Sequence, residues 1–264
     1  MGLSIIVPIK QVPDIERVRF DIEKGRIDRS SAPGETNPFD LNALEAAVRI
    51  KEQLGGMITA ISMGPPQAIS TLRDAIARGA DEAILLTDIK FAGADTLATS
   101  YTLASAIRKI GKFDLIICGE KTVDGDTGQV GPEIAAFLNI PHVAYVCEIR
   151  KISCEGMVVV SDMGDAYYLV EISFPVLITV TKDINTPRLP TLKDKIKARK
   201  KQVTIWTARD LEDIADPRKF GYAGSPTQVY KITFPSVKNR KGMLFEGEEG
   251  IPKIVSILER EGII

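Results

Sequence analysis

Histidine occurs once in these 264 residues, tryptophan once and cysteine three times, and the net charge is only -1. Each scarcity removes a class of function. Cys118, Cys147 and Cys154 are odd in number and show no C-x-x-C spacing, so with His142 as the single imidazole they make a poor metal set. They point instead to a reducing compartment. His142 follows Pro141 at the head of an apolar run and reads as a strand-edge residue rather than a catalytic base. Lys+Arg 34 against Asp+Glu 35 leaves no overall field to draw the chain to nucleic acid or to an anionic membrane. No apolar run approaches the ~20 residues of a bilayer span. Strand-like residues begin at Ser4, which leaves no room for a signal or transit peptide, and Ile6 stands where N-myristoylation wants Ser or Thr. The expectation is a soluble, cytoplasmic protein with no membrane insertion and no nucleic-acid partner.

What is present is apolar sequence in regular blocks. The apolar share of 44% supports a sizeable core, and the length suits one large domain with appendages or two small ones. Ser4 to Val7 reads as a buried strand stopped by Pro8. Val18 to Asp21 and Gly25 to Asp28 flank a small hairpin outside the main sheet. Asn37 is an N-cap with Pro38 at the first helical position, opening a helix that carries Leu41, Leu44, Val48 and Leu54 and ends at Gly55-Gly56. A strand from Met57 to Met63 follows, then a helix with Ile69, Leu72 and Ile76 closed at Gly79, and a strand from Ala83 to Leu86. Asp95 caps a helix from Thr96 to Ile110, which hands on to the run Leu115-Ile116-Ile117. Apolar strands alternating with helices describe a doubly wound α/β domain, a mostly parallel sheet with helices on both faces.

Beyond Tyr145 the pattern changes. Val143 to Val146, Met157 to Val160, Tyr167 to Ile172 and Val176 to Val180 are short strands with tight turns between them, an antiparallel extension of the same sheet. From Asn185 a Pro-rich stretch, Pro187 to Leu192, leads into residues 193–201, which hold six positive charges and one negative. Without interleaved aromatics this run reads as a solvated helix face, and Leu189 and Leu192 beside it suit protein docking. The rest, from Val203, shows little periodicity until Ile254, Ile257 and Leu258 on a last helix. Such an arm needs something to lie against, and a partner subunit is the economical choice. The organisation expected is 1–183 as the α/β domain, 184–203 as a basic recognition segment and 204–264 as a C-terminal arm.

The stretch Cys118 to Pro132, C-G-E-K-T-V-D-G-D-T-G-Q-V-G-P, sits between the Leu115 strand and a short helix from Glu133 to Leu138, at the carboxyl end of a strand where open α/β sheets bind ligands. Its glycines, its hydroxyls on Thr122 and Thr127, its carboxylates on Asp124 and Asp126 and the helix start beyond suit a nucleotide. The same residues also make an ordinary solvated βα loop. Stricter motifs are missing. Gly119-Glu120-Lys121-Thr122 only echoes the end of a P-loop, the glycine spacing is not G-x-G-x-x-G, and Gln129 and Ala135 stand where a calcium loop requires Gly and Glu.

Over essentially its whole length the chain resembles the beta subunit of electron transfer flavoprotein. The resemblance is carried by the opening Val7 to Asp14 (V-P-I-K-Q-V-P-D), Asn37-Pro38-Phe39 before a helix, Ser62-Met63-Gly64-Pro65, the core G-x-K-x-x-D-x-D-x-x-Q-x-G from Gly119 to Gly131, Pro187-Arg188 before the basic run, and the terminal helix. It implies an adenine nucleotide held by Pro8 and Ile9, by Asn37, Pro38, Phe39 and Asp40, by Met63, and by a main cradle of Glu120, Lys121, Thr122, Val123, Asp124, Gly125, Asp126, Thr127, Gly128, Gln129, Val130 and Gly131. Asp124 and Asp126 are expected to meet ribose or backbone, the Thr127 hydroxyl and the amides of Gly128 to Gly131 to hold phosphate, and Asn37 to fix the adenine side. It further implies a heterodimer with an alpha subunit, and a docking loop for a flavin-containing dehydrogenase over 187–201, anchored by Leu192 with Lys197 and Lys200 beside it.

The resembled family has two branches. In one the beta subunit holds structural AMP; in the other it holds a second FAD, takes hydride from NADH and bifurcates the electrons, with ferredoxin or a quinone-linked carrier as acceptor. AMP-only members carry a third carboxylate between the two aspartates, where this chain has Gly125, and an aromatic near Asp14, where it has Ile15, smaller than an aromatic but not the small threonine expected of the FAD-holding branch. A missing charge and a missing side chain both favour a second phosphate, so the expectation is FAD, with AMP as the alternative. Redox chemistry would then belong to the flavin, and no protein group is expected to act as nucleophile or acid–base catalyst. Two rivals are an ATP-using α/β hydrolase or ligase, whose phosphate loop after the first strand is missing at Ile9 to Pro13, and an AMP-sensing or scaffolding subunit without flavin.

Overall fold

The computed structural model describes residues 2–14, 19–21, 26–28, 34–228, 242–245, 247 and 250–264. Strand β1 (Leu3–Pro8) is followed by three short strands and a fourth, β2 (Gln11–Pro13), β3 (Arg19–Asp21), β4 (Arg26–Asp28) and β5 (Gly34–Thr36), of which β2 pairs with β5 and β3 with β4. The turn between β3 and β4, and Ile15, lie outside the described residues. Then come α1 (Pro38–Leu54), β6 (Gly56–Met63), α2 (Ile69–Arg78), β7 (Glu82–Leu86), α3 (Thr96–Ile110), β8 (Leu115–Gly119) and α4 (Val130–Leu138). The chain continues through β9 (His142–Ile152), β10 (Gly156–Asp162), β11 (Tyr167–Ser173), β12 (Val176–Val180), α5 (Leu192–Lys200), β13 (Thr204–Trp206) and α6 (Gly250–Arg260). No helix among the described residues is long and apolar enough to cross a membrane.

One nine-stranded sheet runs in the order β11-β10-β9-β12-β8-β1-β6-β7-β13. From β9 to β13 every neighbouring pair is parallel, and only β10 runs against its neighbours. Its strands are apolar without alternation because both faces are covered. On one face Ile5, Val7, Ile58, Leu115 and Ile178 pack with Ala43, Leu44, Val48 and Leu72 of α1 and α2. On the other, Ile6, Ile61, Ile116 and Leu177 pack with Leu103, Ile107 and Ile134 of α3 and α4. Each such side chain removed from water contributes about 1.5–3 kcal/mol, so the sheet and not helix propensity holds the domain.

The chain moves from β1 outward to β6 and β7, then returns to place β8 on the opposite side of β1. Strand order reverses between β1 and β8, and the crevice outside their carboxyl ends is the topological switch point where ligands bind in such sheets.

Two segments differ from the sequence expectation. Val176–Val180 is not the end of an antiparallel extension: β12 inserts between β8 and β9, parallel to both. Its five residues are all buried, and a strand without a polar face belongs inside a covered sheet. The stretch from Val203 does not begin as an arm either. β13 completes the sheet beside β7, and the polar run after it borrows the main core, where Phe220 is 1% exposed and packs edge-on against Phe91 at 5.2 Å. The described residues divide after Gln228, leaving 229–264 as a second unit in which α6 carries exposed Ile251, Ile254 and Val255.

Candidate functional site

The loop after β8 is shorter than the sequence suggests, Glu120 to Gln129, because β8 runs on to Gly119 and α4 already starts at Val130. Pro132 falls in the first turn of α4, where its missing N–H has no helical partner to lose.

Two buried polar residues at the start of α1 set the site. Asn37 is fully buried and does not cap its own helix. Its side-chain amide instead donates to the Lys121 carbonyl (2.9 Å), and its oxygen accepts from the Val123 N–H (3.2 Å). Asp40, also buried, accepts from the Lys10 N–H at 2.8 Å. Gly119 must lack a side chain, since a Cβ there would lie 2.6 Å from Asp40 Oδ1 and 2.7 Å from the Phe39 carbonyl carbon. The carboxyl ends of β1 and β8 are thus stitched to one helix start.

The charged pairs over the loop matter less. Lys10 Nζ meets Asp124 at 2.8 Å and Lys121 Nζ meets Asp126 at 2.8 Å, all with substantial exposure. Pairs of this kind contribute about 0–1 kcal/mol, whereas leaving the two buried groups around Asn37 unsatisfied costs about 1–3 kcal/mol each. Asn37 therefore positions the loop, and the lysines neutralise it. Partial burial works to raise the pKa of Asp124, but hydrogen bonds and charge from Lys10 outweigh it and hold the carboxyl below its usual range. Burial pushes Glu120 up. Burial also drives Asp40 up to about 7 against the lowering effect of its backbone partners, and it pushes the buried Cys118 thiol up, so Cys118 is an inert core residue.

Pro8 and Ile9 are buried at the end of β1, with the Ile9 N–H bonded to the Ile61 carbonyl at 2.8 Å, and Met63 ends β6. Pro38 is exposed, and Phe39 is half-buried with Lys121 Nζ 5.8 Å above its ring. Glu120 continues the sheet edge, its N–H bonded to the Val180 carbonyl at 3.0 Å. Thr127 is exposed at the tip and Gly128 half-buried behind it, and Val130 and Gly131 open α4 with first-turn amides that have no intrahelical acceptor. Leu192, Lys197 and Lys200 belong elsewhere, on α5, which packs on α2. There Arg188 donates to Glu45 (2.7 Å) and Glu52 (2.6 Å) of α1, which raises its own pKa. Two residues outside the expected set border the loop: Lys10, through its pair with Asp124, and Tyr145, whose hydroxyl lies 3.6 Å from where a Cβ on Gly128 would be. Lys10 could have been suspected from its place just beyond an apolar strand; Tyr145 carries no local signal.

The donor set fits an adenine nucleotide. Free helix-start amides and hydroxyls suit phosphate, and two carboxylates suit ribose hydroxyls. Two buried hydroxyls at strand ends, Ser62 Oγ and Thr181 Oγ1, have no hydrogen-bond partner among the described residues. Packing demands Gly125 weakly, because among the described residues a Cβ there would meet only the Thr122 hydroxyl within 4 Å, at 3.3 Å, and a hydroxyl on a rotatable side chain can give way.

Residues 24–211 match the family of the electron transfer flavoprotein domain. The chain is 46% identical over 267 residues to the electron transfer flavoprotein subunit beta of Thermoanaerobacterium thermosaccharolyticum, covering 99% of this chain and 100% of that one. It is 42% identical to the caffeyl-CoA reductase-Etf complex subunit CarD of Acetobacterium woodii, with 92% of each chain covered. It is 40% identical to protein FixA of Azorhizobium caulinodans, over 97% of this chain and 93% of that one.

Asp40 gives a pH signature. Because its folded pKa of about 7 lies above the ordinary 3.8, the folded chain holds a proton that the unfolded chain releases, so this contribution is complete below pH ~4 and is lost as pH rises to ~7. Unfolding free energies of the wild type should fall across that window by up to about 4 kcal/mol more than those of Asp40→Asn. Parallel pH profiles for the two proteins would contradict the assignment.

Proposed function

The chain belongs to the electron transfer flavoprotein beta-subunit family, and on that premise we propose that it holds FAD in the crevice between β1 and β8. The holder works within an alpha–beta heterodimer that takes electrons from NADH and divides them between a flavin-containing dehydrogenase and a ferredoxin or quinone-linked acceptor. The observation that carries the choice of FAD over AMP is Gly125: between two aspartates, where a Cβ would press on the rotatable Thr122 hydroxyl at 3.3 Å, the chain has no third carboxylate to repel a second phosphate. Bound there, FAD supplies hydride acceptance and one-electron transfer.

The residues of this chain bind and orient. Asp124 and Asp126 accept from ribose hydroxyls, and Lys10 helps to keep Asp124 ionised. The Thr127 hydroxyl and the amides of Gly128 to Gly131 donate to phosphate, with the α4 dipole behind them. Asn37 acts through the loop, since its amide is already committed to Lys121 and Val123.

Docking is proposed for the segment 187–201. Leu189 and Leu192 are 85% and 75% exposed beside Lys193, Lys197 and Lys200, an apolar knob within a cationic field. Arg188 holds the root of this segment on α1. The Acetobacterium woodii relative is named for a complex with a caffeyl-CoA reductase, which supports an acyl-CoA redox enzyme as the partner. The unit 229–264 is proposed to pack on the alpha subunit.

Substitutions at two positions test this. Gly125→Glu should lower FAD content at the beta site about tenfold or more, as a like charge within several Å of a pyrophosphate costs over 1 kcal/mol, while Gly125→Ala retains it; equal loss in both would remove the electrostatic argument. Leu192→Ala should leave flavin content unchanged and weaken transfer to the dehydrogenase about tenfold, the scale of a truncated interface anchor. Unaltered kinetics with every acyl-CoA dehydrogenase or reductase tried would end the docking proposal.

A further inference from the structure

Tyr145 sits at a break in an otherwise regular strand. In the β9–β12 pairing, Val143 faces Ile178 and Val146 faces Val180, so Ala144 and Tyr145 together oppose Thr179. This is a β-bulge, a device that re-aims one side chain and recurs beside functional sites. Tyr145 has φ 54, in the left-handed region that a bulky residue avoids. The distortion is held in place: the Tyr145 N–H donates to the Thr179 hydroxyl at 3.0 Å, and Thr179 is buried.

The bulge lies level with the carboxyl edge of the parallel sheet, where β12 ends at Val180 and β9 runs on. It delivers the Tyr145 hydroxyl to the loop after β8, 3.6 Å from the point where a Cβ on Gly128 would lie. Tyr145 is 39% exposed, and among the described residues its hydroxyl has no hydrogen-bond partner. A strained tyrosine whose polar end reaches a glycine of the phosphate-holding loop and finds no acceptor there is built for an acceptor that comes from outside. Lys121 of the same loop adds positive charge nearby.

We propose that Tyr145 is a further nucleotide-binding residue, donating its hydroxyl hydrogen bond to a phosphate oxygen held over Gly128. This rests on the crevice being a nucleotide site, and it assigns the site a wall from β9, a strand to which none of the expected binding residues belongs.

The nucleotide-depleted alpha–beta complex is titrated with AMP, and with adenosine as the phosphate-free control. Tyr145→Phe, which keeps ring and backbone, should weaken AMP about tenfold, the scale of one hydrogen bond to a charged group, and leave adenosine unchanged. Tyr145→Gly, which suits a positive φ, should weaken AMP at least as much without lowering the melting temperature of the depleted complex. Unchanged AMP affinity in Tyr145→Phe, or equal weakening of AMP and adenosine, overturns the proposal while leaving the nucleotide site intact. A melting temperature that drops in Tyr145→Gly overturns it as well, by making the tyrosine a packing residue. A wild-type complex that binds none of FAD at the beta site, AMP and adenosine overturns the nucleotide reading and this proposal with it.

Discussion

The site depends on a few hydrogen bonds at the start of α1. Asn37 and Asp40 are buried polar groups one turn apart, and their partners are the backbone at the ends of β1 and β8. Buried groups of this kind stabilise only when every bond is made. That requirement ties the crevice to the sheet: the loop after β8 cannot shift without stranding Asn37, and β8 cannot end in anything larger than Gly119. The exposed lysine–aspartate pairs across the loop are a weaker layer, which a ligand can rearrange at little cost.

α1 also joins the crevice to the basic segment proposed for docking. Beyond its first turn, Asn42 donates to the Asn185 carbonyl at 2.8 Å, and Glu45 and Glu52 take the Arg188 guanidinium. Burial works against the ionised form of Glu45, yet Arg188 and Arg49 overcome it and hold its carboxyl below the usual range. One rigid helix thereby sets the cofactor loop at its head and the root of the basic segment along its length. The surface proposed for docking and the crevice proposed for the cofactor are thus referenced to the same element.

The parts of the fold written in local chemistry could be read from sequence. Alternating apolar strands and capped helices placed β1, α1, β6, α2, β7, α3 and β8, and Asp95 does cap α3 through the Ala98 N–H. Family resemblance named the loop after β8. What could not be read is long-range. The five apolar residues of β12 say that the strand is buried but not between which neighbours, and the sparse apolar residues of 204–228 look like an arm until Phe220 is seen inside the core. Asn37 obeys the pattern of an N-cap, and only the arrival of the loop after β8 shows where its amide points. The Tyr145 bulge has no sequence mark, because it arises from the mismatch of β9 against β12.

The central claim is that this crevice is a preorganised holder for FAD. Its most direct test is the nucleotide content of the wild-type alpha–beta complex, released by denaturation and counted per heterodimer. Two FAD and no AMP is the predicted result; one FAD accompanied by one AMP would contradict it.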